Sequence, residues 1–243
     1  MATIAEKLVA VADNQQKVFD AGAKAEYDRF WDELQQNGER TNYRYCFVGR
    51  RWNKETFRPK YSMQPKNAFY MFPYWGTNQS DREPIDLVEH LEELGITLDF
   101  SKATYLRCLF ASNYLITRVG VIDTRSCNDI YGLFANNNAL VTVDELILCD
   151  DGSQRIRTGE HGAFYRSNTL QNIKVTGVIG GDIELDTCNA LTLDSLKSII
   201  NALMDYSTDT SGTVHTITLG ETNLAKLGTD EIALIEQKGW VIA

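Results

Sequence analysis

Three acids at alternate positions, Asp182, Glu184 and Asp186 in "GGDIELD", are the strongest carboxylate grouping in this 243-residue chain. On an extended strand that spacing sends all three to one face. Close anionic oxygens there could hold calcium or act as general acid and base. A carbohydrate-active enzyme would need two such carboxylates across a cleft, about 5 to 10 Å apart. The plainer reading is a strand whose acids meet water while Ile183 and Leu185 point inward. Other reactive residue types add little. His90, His161 and His215 have no metal-ligand spacing, and His90 falls among charged neighbours. Cys46, Cys108, Cys127, Cys149 and Cys188 are odd in number and never form CxxC, so reduced, mostly buried thiols are expected. "GVIGG" lacks both the dinucleotide fingerprint and the Walker lysine, and "CDDGSQ" and "DYSTDTSG" fall short of a calcium loop. The expectation is no catalytic residue, no metal and no cofactor.

Recognition chemistry concentrates elsewhere. Residues 40–75 hold eight cations against one anion, a local charge of +7 in a chain of −9, leaving −16 for the remainder. The same window carries 11 of the 25 aromatic residues. Arginine forks bind anions, and aromatic faces stack on bases, sugars or apolar side chains. The candidate ligand contacts are Arg44, Arg50, Arg51, Trp52, Tyr70 and Trp75. Nucleic-acid binding through residues 40–75 is an alternative that the overall negative charge disfavours. The structural alternative is an end cap whose rings form a small core and whose arginines pair with the acidic body.

These residues need elements to hold them. Tyr27, Phe30, Trp31 and Leu34 recur on one face of a helix expected over residues 16–37, preceded by a shorter stripe of Ile4, Leu8 and Val11. Both helices could dock on the body or join two copies into a homo-oligomer. "GTNQSDREP" reads as a linker, and residues 85–95 as a helix started by Asp86 and closed by Gly95. A phrase then recurs: "LFASNYLITRVGVI" from Leu109, "LFANNNALVTVDELIL" from Leu133 and "AFYRSNTLQNIKVTGVI" from Ala163. It aligns Phe110, Phe134 and Phe164, then Leu115, Leu140 and Leu170, then Val119, Val143 and Ile173. Asn113, Asn137, Asn138 and Asn168 fall near matching positions, where amides can satisfy backbone groups. The phenylalanines are 24 and 30 residues apart, near the length of a leucine-rich repeat. Such units bury their apolar sides only by stacking. A helix with Leu193, Leu196, Ile200 and Leu203 on one face, a final strand "TVHTITL" and a short helix ending at Gly239 would close the array.

The "AF…L..I.V" cadence of "GAFYRSNTLQNIKV" resembles the BspA-like leucine-rich repeats of bacterial surface proteins. The "AEYDRFWDELQQNG" segment and the C-terminal stretch look closer still to a group of uncharacterised proteins from gut Firmicutes and their prophages. The resemblance implies an α/β repeat fold: a short right-handed leucine-rich-repeat-like solenoid with N-terminal helices and a helical C-terminal cap. It supplies no catalytic residues. Residues 1–80 are expected to form a helical and basic aromatic segment, and residues 81–243 the solenoid and cap. The expected function is a non-catalytic binding module, of surface-adhesion or prophage tail type, recognising protein or cell-surface glycan. No stretch reaches the ~18 apolar residues of a membrane span, so no membrane insertion is expected. The start lacks a signal-peptide pattern, which favours a cytoplasmic or virion-associated location.

Overall fold

Strands begin where the repeated phrase turns β-branched. The computed structural model describes residues 25–32, 41–47, 52–73 and 83–243. Strands β1 (Ile85–Asp86), β2 (Ile116–Asp123), β3 (Thr142–Ile147) and β4 (Asn172–Thr176) form one parallel sheet in that order. Val119 pairs with Val143, and Val143 with Ile173. The residues aligned in sequence are therefore neighbours across the sheet, and each is buried. Asp86, read as the start of a helix, ends β1 and caps α2 (Leu87–Glu93), its Oδ1 accepting from Val88 N and Glu89 N.

Beside the sheet runs a column of phenylalanines. Phe47, Phe72, Phe110, Phe134 and Phe164 follow one another at centroid separations of 5.3, 5.2, 6.2 and 5.7 Å, with planes within about 30° of parallel. The first two belong to the basic aromatic segment, so that segment continues the column. Backbone bonds follow it: Tyr45 N donates to Phe69 O, Phe72 N to Leu109 O, Phe110 N to Leu133 O and Phe134 N to Ala163 O. Buried side chains satisfy the carbonyls of the column. Asn113 Nδ2 donates to Phe72 O, Asn137 Nδ2 to Phe110 O, Ser167 Oγ to Phe134 O and Cys188 Sγ to Phe164 O. The chain turns sharply at each ring. Tyr45, Tyr70, Cys108 and Gly132 precede a ring by two residues, and Ser112, Asn136 and Arg166 follow one by two; all have positive φ.

The expectation of a leucine-rich-repeat solenoid is corrected by the sheet order. The structure is an α/β fold with two separate parallel sheets, the second formed by β5 (Ile183–Glu184), β6 (His215–Thr218) and β7 (Trp240–Ile242). The first sheet stops because a helix takes the place of a fifth strand. Ser195 and Ser198 of α3 (Leu193–Ala202) accept from Ile173 N and Val175 N of β4, and Ser195 Oγ donates to Gln171 O. A sheet edge capped by hydroxyls has no ladder left to extend. Beyond it, Gly180 lies so close to the Gly152 backbone that a Cβ would collide with it. "GVIGG" is thus a packing motif.

Two further expectations change. Leu193 is 38% exposed, because the buried face of α3 runs through Ser195, Leu196, Ile199 and Ile200. "TVHTITL" is not the last strand: α4 (Gly220–Leu224) and α5 (Thr229–Gln237) follow β6, and β7 closes the chain beyond Gly239, whose φ is +80°. Lys226 and Lys238 fasten these helices. Lys238 Nζ donates to the carbonyls of Ile200, Asn201 and Leu203 at the end of α3, and Lys226 Nζ to those of Asn189 and Leu191.

At the other end, residues 25–32 form helix α1, the described part of the helix expected over 16–37; Leu34 and the stripe from Ile4 to Val11 lie outside the described residues. Trp31 packs against Phe47, Trp52 and Phe57. His90, read among charged neighbours, is instead buried under this cluster. Its Nε2 lies 2.5 Å from Phe57 O. A carbonyl only accepts, so Nε2 carries a proton, and Nδ1 is buried with no hydrogen-bond partner among the described residues.

Candidate functional site

The sharp turns around each ring push the flanking side chains outward, and two surfaces result. The first consists mainly of residues two or three places before each phenylalanine, joined by Tyr105 and Arg157. Arg44 lies over Tyr45 and Phe69 at 5.1 and 4.9 Å from their centroids, and Tyr45 packs on Phe69 and Tyr70 at 5.3 and 5.7 Å. Phe69 then meets Tyr105 at 5.4 Å, and Arg107 sits 5.2 Å over Tyr105. Tyr131 continues the row, covered by Arg157 at 5.7 Å and by His161 at 4.8 Å. A buried anion holds two of the arginines in place: Asp129 is within 3.0 Å of Arg107 and 2.6 Å of Arg157. Its hydrogen bond and charge raise the Arg157 pKa further. Arg44, at the far end, has no carboxylate within ion-pair distance among the described residues.

Of the residues expected to bind ligand, Arg44 and Tyr70 reach this edge. Trp52 does not: it is fully buried and its indole donates to Phe47 O, so its faces are spent on the core. Arg50, Arg51 and Trp75 lie outside the described residues. Tyr45, Phe69, Tyr105, Arg107, Tyr131, Arg157 and His161 were missed. A partial signal was present: Phe69, Arg107, Tyr131 and His161 each stand three residues before a column phenylalanine and Tyr45 two before, whereas nothing at a fixed spacing marks Tyr105 or Arg157.

The second surface is an open groove of about 620 Å³ on the other side of the same turns. One row of its lining, Ser112, Asn136, Arg166 and Thr187, comes from positive-φ positions and their equivalent. Tyr114, Asn138, Asn168 and Asn189, two residues farther along, form a second row, and Asp186 completes the wall. Of the four amides expected to serve the backbone, Asn113 and Asn137 do so from buried positions, whereas Asn138 and Asn168 are exposed and face this groove, Asn138 also making a 3.4 Å donation to Asn136 O.

The carboxylates of 182–186 do not converge. Ile183 and Leu185 are buried, leaving the acids outside. Asp182 accepts from Thr216 N at 2.8 Å and Glu184 from Gly159 N at 2.6 Å, and only Asp186 reaches the groove. Among the described residues, no three His, Cys, Asp or Glu gather as a metal site. Burial raises the thiol pKa of Cys127 and of Cys188 to about 12, so neither is poised as a nucleophile. No helix of the described residues is long and apolar enough to cross a membrane. No protein-family model, curated protein or solved structure matches this chain.

Proposed function

We propose that the protein is a non-catalytic recognition module that binds a polypeptide displayed on a cell or particle surface. The observation that carries the reading is the row of outward tyrosines with arginines laid over them, from Arg44 to His161. Tyrosine and arginine are the residues that most often dominate protein interfaces, because they join large rigid area to a polar handle. The paired Arg107 and Arg157 are held in position, which lowers the ordering cost of binding. Arg44 complements a partner carboxylate. The resemblance to bacterial surface repeats supports the same reading.

Binding of fluorescent full-length protein to intestinal epithelial and gut bacterial cells tests it. Saturable binding is expected, abolished by protease treatment of the cells and weakened roughly tenfold or more in the Arg44→Ala, Tyr45→Ala double variant. Absence of binding, survival of binding after protease treatment, or equal binding by the variant overturns the reading.

A further inference from the structure

The groove on the opposite side of the turns has its own chemistry, and we propose that it is a binding site for a neutral oligosaccharide. Its volume of about 620 Å³ lies within the range of roughly 300–1,000 Å³ usual for small-ligand sites. Its lining differs from the apolar walls of most such sites. Asn136, Asn138, Asn168 and Asn189 each offer a donor and an acceptor, the combination that vicinal sugar hydroxyls require. These amides are available. Their buried counterparts Asn113 and Asn137 are spent on the backbone, whereas the Asn138 amide makes only a 3.4 Å contact with Asn136 O.

Charge selects among polar ligands. Arg166 and Asp186 both line the groove without forming an ion pair, and their formal charges cancel. A phosphorylated or carboxylated ligand would gain at Arg166 and lose at Asp186. A hydroxyl-rich neutral ligand can use the arginine fork as donor and the carboxylate as acceptor. Repetition selects for an oligomer. Successive rings of the stacked turns lie 5.2, 6.2 and 5.7 Å apart, close to the length of one sugar unit, so a chain lying across the turns meets an equivalent pair of polar positions at each unit. The Tyr114 ring sits at one end of this row, where it could pack on a sugar face.

The site uses none of the residues of the tyrosine–arginine edge, so the two can be tested apart. The full-length protein is applied to a printed array of neutral and acidic oligosaccharides, and the oligosaccharides it retains are titrated calorimetrically. Retention of neutral oligosaccharides is expected, with affinity unchanged by salt. It should fall at least tenfold in Asn138→Ala, Asn168→Ala and stay unchanged in Tyr45→Ala. Both asparagines are exposed, and an unaltered thermal midpoint verifies that the variant is folded. Retention of no glycan, retention confined to acidic glycans, or equal affinity in the folded double variant overturns the proposal.

Discussion

Asn136, Asn137 and Asn138 are consecutive, and the middle one differs from its neighbours. Asn136 holds a left-handed turn, and both it and Asn138 line the groove. Asn137 is fully buried, donating to Phe110 O and accepting from Ala139 N and Leu140 N. Asn137→Ala removes the partner of all three backbone groups, at about 1–3 kcal/mol for each group that water cannot reach. A large drop in the chemical-denaturation midpoint is therefore expected for Asn137→Ala, and almost none for Asn138→Ala. A run of identical letters could not show which amide turns inward, because backbone φ decides it. The same limit applies to Trp52 and Tyr70, similar in type but placed on opposite sides of the core boundary.

At the level of elements, the apolar cadence of the repeated phrase was legible. Leu115, Leu140 and Leu170 are all buried, and the β-branched positions pair across the sheet. Two further members of the phenylalanine column, Phe47 and Phe72, were not recognised, because the sequences after them, "VGRRWNKE" and "PYWGTNQS", lack the leucine and β-branched run that follows Phe110, Phe134 and Phe164. Phe134 lies inside the column, between Phe110 and Phe164. Phe134→Ala should cost about 3–5 kcal/mol, measured by denaturant unfolding. A loss below 1 kcal/mol would mean that the column is not a structural axis. The hydroxyl-capped end of the sheet at Ser195 and Ser198 was illegible for a different reason: small polar residues on a helix ordinarily signal solvent exposure.

At the scale of the whole molecule, the expected single array failed because the sequence pattern reports only local period and burial. Whether successive strands join one sheet or two depends on contacts such as that of α3 with the β4 edge. The core is nevertheless continuous from Trp31 to Trp240. Charges on its surface set its acid tolerance. A hydrogen bond from Arg125 lowers the Asp123 pKa, one from Lys174 lowers that of Glu145, and the Ser101 backbone N–H lowers that of Asp99. The Ser153 backbone N–H brings Asp151 to about 2. Each folded-state value lies below its unfolded value, so the fold gains at neutral pH and loses that gain as pH falls. The thermal midpoint should hold from neutrality to about pH 5 and decline steadily below about pH 4. A midpoint that rises on acidification would contradict these assignments.

Lys226 and Lys238 carry a consequence for the chemistry of their own amines. Each ammonium is surrounded by carbonyl oxygens of distant chain segments, and burial lowers the Lys238 pKa. A lower pKa leaves more of an amine unprotonated at a given pH, yet this nitrogen has its hydrogens committed to three carbonyls. Acylation of Lys238 thus breaks the hydrogen bonds by which it fastens the end of α3. Its labelling rate, set against that of the more exposed Lys174, becomes a clock for opening at the C-terminal end of the molecule.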